Sequence, residues 1–450
     1  MIILVLEQIG QLFCVNADFV VENTLPERIY RDPVHNIIRV RTDGAEGRLI
    51  VGLIDTPEFQ RLRRIRQLGL AHFAYQGAEH SRFTHSLGAF HLATRILAKL
   101  SNSYKLDEGD RTAVRVAALL HDIGHGAFSH VVESILDFHH EDFTIEAVLS
   151  RETGVGRLLN EYSAELPERV AAIIRGNFQP MALAQLVSSQ LDVDRMDYLL
   201  RDSLFTGVKY GVFDLEWIIK SFEINEPDDQ LYVSAPGIYA VEDYLQARYF
   251  MFRQVYFHRT LRAAEAVLQA LLRRALDIVA AGGEVWYASG TPFEKILRRE
   301  RLGLNDHLAL DDTDVFFYIK QWQHAEDPML ADLAGRFLHR KLFKAFDLDM
   351  PEADRGSFVA AARDVVKRAG FDPEYYLHED EGGEASHNFY VRDDANPKDL
   401  IYVEEGFSSP SIKEISEVSA AVRGLQKGYR LHRLCFPHEL TGEMTKLYRS

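Results

Sequence analysis

The stretch Ala118–His130, ALLHDIGHGAFSH, is the strongest constraint on how this chain folds. It closes an apolar run (Val114, Val116, Ala117, Ala118, Leu119 and Leu120) that reads as a buried helix. The run ends on His121 beside Asp122, and glycine-broken turns then carry His125 and His130. Three imidazoles and a carboxylate within ten residues are costly to bury unless partners compensate them. A plain apolar core supplies no such partners. A helical body that gathers a metal ion or phosphate at that helix end does.

The chain has 450 residues, enough for a large core and one to three domains. Its formal net charge of −16 argues against a non-specific nucleic-acid binder. A phosphorylated substrate therefore needs local Lys, Arg or metal charge. Cys14 and Cys435 lie far apart without metal spacing, so no disulfide framework is implied and a reducing cytoplasm is expected. No apolar run reaches bilayer length. The opening MIILVLEQIG lacks a basic flank and reads as a strand or added segment rather than a signal peptide.

Along the chain, RIYRDPVHNIIRVR (Arg28–Arg41) predicts a hairpin turning at Asp32-Pro33. Asp55-Thr56-Pro57 predicts a helix start, with EFQRLRRIRQLG running to Gly69 and Arg61, Arg63, Arg64 and Arg66 away from its apolar stripe, either as a solvated basic face or with some of them facing phosphate. Helices are expected from Arg82 to about Leu100, over about Arg111–Asp122, and near Ser129–Asp137, Asp142–Ser150 and Pro167–Arg175. In LVSSQLDVDRMDYLLRD (Leu186–Asp202), a projection at ~100° per residue gathers Asp194, Arg195, Tyr198 and Asp202 on one arc. Those charges form either an internal salt-bridge network or a ligand-lining face. A hairpin is expected around Asn225–Gln230, then one long aromatic-rich helix over Ile238–Ala281. Beyond Gly283 come helices at Pro292–Glu300, Leu308–Gln323, Pro328–Leu338 and Asp354–Gly370. Strands are expected around Glu374–Leu377, Asn388–Arg392, Leu400–Glu404 and Tyr429–Leu434, with Glu379–Ala385 the most loop-like stretch.

His85, His121, Asp122 and Asp194 offer mixed nitrogen and oxygen ligands from helices far apart in sequence. Mixed ligation with open positions suits hydrolysis, since the ion lowers the pKa of water and polarises a phosphoryl oxygen. This H…HD…D order resembles the HD-domain metal-dependent phosphohydrolase superfamily. DTPEFQRLRRIRQLG, SRFTHSLG, LLHDIGHGAFSH, LDVDRMDYLLRD and RKLFKAF resemble its deoxynucleoside triphosphate triphosphohydrolase branch, over roughly residues 28–345. The members most similar are those that join a SAM domain to the HD domain, and their bacterial relatives; no SAM domain is expected ahead of the match here.

The resemblance implies a mainly α fold, an HD-domain helical bundle with a smaller α+β C-terminal region. The corresponding division is an N-terminal extension and hairpin over 1–50, the HD core over 51–282 and the C-terminal region over 283–450. It implies a divalent metal ion on His85, His121, Asp122 and Asp194. It makes His125, His130 and His140 active-site histidines, with His130 the general acid and Glu141 orienting His130 or His140. A histidine acid suits the step because its ordinary pKa lies near neutrality. Arg82, Arg195 and Arg248 match triphosphate-binding positions, Arg195 replacing a lysine. Gln67 and Asp202 match readers of the sugar 3′-hydroxyl, and Tyr198 and Tyr256 match aromatics that exclude a 2′-hydroxyl. Phe257 stands where a glutamine approaches the base.

Arg28, Asp55, Gln60 and Arg63, with Arg340 and Lys344, resemble a GTP or dGTP effector site between subunits of a homo-oligomer. Arg28 replaces a lysine there, and Arg31 an asparagine. The reading is thus a dNTP triphosphohydrolase without a membrane role and with nucleic acid not favoured. Two alternatives stand beside it. One is an HD phosphohydrolase of a monophosphate, cyclic nucleotide or alarmone. The other is a nucleotide-sensing or nucleic-acid-binding protein whose site is regulatory.

Overall fold

The computed structural model describes residues 26–128, 131, 133, 135, 138–382, 390, 392, 396–406, 411–425 and 431–449. The fold is mainly helical, with three small sheets among the described residues. Strands β1 (Glu27–Asp32) and β2 (Asn36–Arg41) form the expected antiparallel hairpin, Asp32 pairing with Asn36 at the turn. The strands β3 (Phe222–Asn225) and β4 (Gln230–Val233) form the second expected hairpin.

Two apolar cores organise the molecule. The first packs the helices Arg82–Leu100, Glu108–Leu120, Leu166–Ile174 and Val193–Thr206 around residues such as Phe90, Val116 and Met196, all almost fully buried. The second packs the Arg259–Ala280 helix against Asp312–Trp322 and Pro328–Leu338, around Trp322 and Phe337. The C-terminal region adds β5 (Lys344–Asp347), β6 (His378–Gly382), β7 (Tyr402–Glu405), β8 (Ser411–Glu414) and β9 (Leu431–Phe436). One sheet has the order β5-β9-β6, and the other runs β3-β4-β7-β8, with β7 parallel to β4.

Several expectations are corrected. The helix begun at Pro57 ends at Arg61, passes through a 3-10 turn at Leu62–Arg64, and is extended by Ile65. Arg66 then bridges Ser81. Arg61 is not on a solvated face: it is buried and donates to the carbonyls of Leu310 (2.6 Å), His125 (2.8 Å), Ile123 (3.3 Å) and His307 (3.3 Å). The single helix expected over Ile238–Ala281 is two, Ile238–Met251 and Arg259–Ala280, separated by a π turn at Phe252–Tyr256. His258 is extended there and its ring nitrogen caps Thr260 N at 3.2 Å, which starts the second helix afresh.

Leu308–Gln323 is likewise two helices, Leu304–Leu308 and Asp312–Trp322, the second begun by an Asp311 capping box. Pro373–Tyr376 is a helical turn capped by Asp372 rather than a strand, and residues 379–382 of the loop-like stretch belong to β6. The N-terminal MIILVLEQIG lies outside the described residues, as do most of the expected Ser129–Asp137 helix and Asn388–Arg392 strand. Among the described residues no helix is long and apolar enough to cross a membrane.

Candidate active site

Three helices meet at the end of the Glu108–Leu120 helix. That helix is begun by Asp107, which accepts from Asp110 N, and it delivers His121 and Asp122 as it stops. The Arg82–Leu100 helix places His85 one turn from its start, with no exposed surface. The Val193–Thr206 helix is capped by Asp192, which accepts from Arg195 N at 2.8 Å, and so presents Asp194 in its first turn.

His85 Nε2 lies 3.2 Å from His121 Nε2 and 3.0 Å from Asp194 Oδ1, and His121 Nε2 lies 3.5 Å from that oxygen. Asp122 Oδ2 stands 3.7 Å from His85 Nε2, and Asp122 Oδ1 3.5 Å from His121 Nε2. The other ring nitrogens fix the tautomers. His121 Nδ1 donates to the Ala118 carbonyl at 3.0 Å, and His85 Nδ1 to Asp197 Oδ2 at 2.8 Å. Both Nε2 lone pairs therefore converge with carboxylate oxygens on one point, which only a cation satisfies. The charge deficit shows in the titration. Burial alone lowers His85, but the bonds to Asp194 and Asp197 outweigh it and raise its pKa to about 10. Burial raises Asp194, but His121 and His85 hold it below the usual carboxylate range. The donor set fits a divalent ion of the type held by imidazole and carboxylate together.

A cleft of about 560 Å³ opens over this point, inside the range of small-ligand sites. Its walls include His125, His140 and Glu141 on one side and Gln67, Tyr198, Asp202 and Tyr256 on another. Arg82, Arg195 and Arg248 also line it. Arg82 is 5% exposed and donates to Asp122 Oδ2 at 2.6 Å. Arg195 pairs with Asp192 and donates to the Ser189 carbonyl at 2.6 Å, while Arg248 donates to Gln190 Oε1 at 2.5 Å. Tyr256, brought in by the π turn, donates to Asp202 Oδ2 at 2.9 Å. Gln67 Oε1 is buried without a hydrogen-bond partner among the described residues.

His125 lies under the His140 ring, and Glu133 Oε1 stands 3.0 Å from His140 Nδ1 and 3.5 Å from His125 Nδ1. Burial, then the nearby Arg82 and His140 charges, push His125 down to about 3, so its ring is neutral. His130 lies outside the described residues.

The proposed effector residues fall into separate groups. Arg28 Nη1 donates to Asp55 Oδ2 at 2.5 Å, Gln60 Oε1 accepts from Arg63 Nε at 2.8 Å, and Arg63 lies 3.5 Å over the Phe83 ring. Arg340 instead donates to the Phe73 carbonyl at 2.9 Å, and Lys344 is exposed at the start of β5.

Sequence reasoning missed Glu133, His80 and His35. Glu133 follows His130 at a spacing of three, a signal that was present. His80 donates to Asp202 Oδ1 at 2.7 Å and His35 to Asp197 Oδ1 at 2.7 Å, across distances no local pattern reveals. The two readings of Leu186–Asp202 both hold, on different faces: Asp197 and Arg201 form a buried ion pair, while Asp194, Arg195, Tyr198 and Asp202 face the cleft.

The HD domain matches residues 82–202, and the HD associated region matches residues 213–285. The chain is 38% identical over 422 residues to the uncharacterized protein YwfO of Bacillus subtilis, covering 93% of this chain and 94% of that one. A phosphohydrolase of known structure from Bacteroides thetaiotaomicron superposes with a TM-score of 0.78 at 30% identity, covering 91% of this chain and 100% of that one. The chain belongs to the HD-domain phosphohydrolase superfamily. Within it, the chain is 31% identical over 257 residues to a Dictyostelium discoideum protein named deoxynucleoside triphosphate triphosphohydrolase SAMHD1 homolog, across 54% of this chain and 48% of that one.

Proposed function

We propose that the chain hydrolyses deoxynucleoside triphosphates to deoxynucleoside and inorganic triphosphate. One observation carries the reading: His121, Asp122 and Asp194 of the converging donor set, three arginines and the group Gln67, Tyr198, Asp202 and Tyr256 line a single cleft. Similarity to the Dictyostelium protein supports it.

His85, His121, Asp122 and Asp194 hold a divalent ion, which when bound supplies Lewis-acid charge for a phosphoryl oxygen and acidifies water. Arg82, Arg195 and Arg248 hold the triphosphate in place for attack at the α-phosphorus. Arg82 acts from a buried pair with Asp122, so its charge is pre-aimed. Burial keeps His125 neutral, with Nε2 3.2 Å from Asp122 Oδ1, so it is not the proton donor. Protonation of the leaving oxygen falls to His130, with His140 and Glu141 in support. Asp202 is fixed by His80 and Tyr256 and presents carboxylate to a sugar hydroxyl, with Gln67 beside it. Tyr198 and Tyr256, 6.2 Å apart edge to face, leave little room for a 2′-hydroxyl.

Arg28, Asp55, Gln60 and Arg63 of one subunit, with Arg340 and Lys344 of another, form a guanine-nucleotide effector site in a homo-oligomer.

The test is to incubate Mn²⁺-loaded protein with each dNTP, with and without GTP or dGTP, and to measure triphosphate release. A preparation shown to hold metal that releases none overturns the reading. Phe257 motivates a second: it packs 4.4 Å from Phe252 and lines the cleft. Faster turnover of a monophosphate, cyclic nucleotide or alarmone in the same panel selects that reading.

A further inference from the structure

Behind the cleft, Asp197 is fully buried and its carboxylate is saturated. Oδ2 accepts from His85 Nδ1 at 2.8 Å and from Arg201 Nε at 2.8 Å; Oδ1 accepts from His35 Nε2 at 2.7 Å and from Arg201 Nη2 at 2.9 Å. The chain of bonds continues outward. Arg201 Nη1 donates to Asp32 Oδ2 at 2.7 Å, and Asp32 Oδ1 accepts from Val34 N and His35 N, each at 2.9 Å. The last two bonds fix the β1–β2 turn that carries His35. Gly88 makes the approach of the carboxylate possible, since a Cβ there would stand 1.8 Å from Asp197 Oδ1 and 2.5 Å from Arg201 Nη2.

We infer that Asp197, held by His35 and Arg201, is a positioning residue for the His85 imidazole, so that the β1–β2 hairpin is a working part of the cation site. The inference rests on reading His85 as a cation ligand. Asp197 is not among the residues that line the cleft. Its bond to Nδ1 fixes the ring orientation and directs the Nε2 lone pair at His121 and Asp194. A carboxylate on the far nitrogen of a ligating histidine also raises its basicity, and losing such a partner typically weakens metal binding 10–100-fold. His35 and Asp32 lie outside the segment matched by the HD domain, so an essential support for the ion comes from a part of the chain that segment does not contain.

The experiment is Mn²⁺ titration of the metal-stripped full chain by calorimetry, with circular dichroism melting in parallel. Asp197→Asn is expected to weaken Mn²⁺ about 10–100-fold. His35→Ala, which removes one outer bond, is expected to weaken it about tenfold, and His35→Gln, which keeps a donor, to restore most of that loss. Should Asp197→Asn not fold, the His35 pair decides. Mn²⁺ affinity within about twofold of the wild type in folded Asp197→Asn and His35→Ala overturns the inference. Wild-type protein without Mn²⁺ affinity overturns the ligand reading of His85 and this inference with it. Weakened Mn²⁺ binding in the variants supports the inference even if no dNTP is turned over, which separates the two readings.

Discussion

The imidazole of His125 stacks on that of His140, ring centroids 3.6 Å apart and planes 15° from parallel. The pair sits beside Glu133, which reaches His140 Nδ1 at 3.0 Å, so the stack aims two rings at the cleft from one anchor. His140→Phe keeps an aromatic face on His125 and removes the nitrogen. Triphosphate release from dNTP is expected to fall about 10²–10⁴-fold, the range for loss of a proton-handling group, with the melting temperature little changed. Activity within a few-fold of wild type would remove His140 from the reaction.

Arg82 and Asp122 form a buried pair at 2.6 Å. Arg82→Ala leaves a buried carboxylate without its cation, at a cost of about 3–5 kcal/mol. A divalent ion on the donor set supplies the missing charge. Mn²⁺ is therefore expected to raise the melting temperature of Arg82→Ala more than that of the wild type. Equal Mn²⁺-induced shifts in the two proteins would contradict this.

Tyr256 donates to Asp202 Oδ2, and His80 already holds the other oxygen. Tyr256→Phe frees Asp202 to rotate without unfolding the helix break that carries it. The expected loss in kcat/KM is about tenfold, the worth of one hydrogen bond to a charged group. Steady-state kinetics on dNTP and rNTP check it, and an unchanged kcat/KM for dNTP would dismiss the bond as idle.

Burial, then the charge on Arg61, lowers His307 from 6.5 to about 4. The ring is parallel to Phe143 at 3.8 Å and donates to the Gly124 carbonyl at 2.6 Å. Between those pH values the unfolded chain takes up a proton that the folded chain refuses. Stability therefore falls as pH falls through this window, by about 3 kcal/mol for this group. Urea unfolding at pH 7 and pH 4.5 is expected to show a smaller loss in His307→Gln than in the wild type. Identical losses would place the acid sensitivity elsewhere.

Arg61 ties together the carbonyls of Ile123, His125, His307 and Leu310. Its replacement by Met leaves the Ile123, His125 and Leu310 oxygens without that donor, while the His307 oxygen keeps its bond from Leu310 N; the cost is about 3–5 kcal/mol, and the turn that carries His125 loosens. Arg61→Lys is expected to rescue little, because one ammonium lacks the planar fork. A melting temperature of Arg61→Met near that of the wild type would refute the tie.

The sequence carried the His121-Asp122 pair, the Arg82–Leu100 helix and the Pro328–Leu338 helix because local patterns specify them: a polar cluster ending an apolar run, and a Pro at a helix start. It carried the converging donors only through their shared order along the chain. Arg61 was misplaced because a run of arginines gives no sign of which one turns inward; the sorting is done by carbonyls of residues 123–125 and 307–310. The break before His258 was missed since neither Gly nor Pro marks it, and the cap is a histidine rather than one of the usual Ser, Thr, Asp or Asn. His35, His80 and Asp197 were overlooked as supports because each partner lies on another element.

The parallel pairing of β4 with β7 sets an order of events during synthesis. Tyr232 meets Tyr402 in that ladder, so one edge of the β3–β4 hairpin stays open until most of the polypeptide has left the ribosome. For that interval the edge offers unpaired amides to any other nascent strand. The late-made C-terminal region thus acts, before any catalysis, as the cover that keeps an early-made hairpin from finding the wrong neighbour.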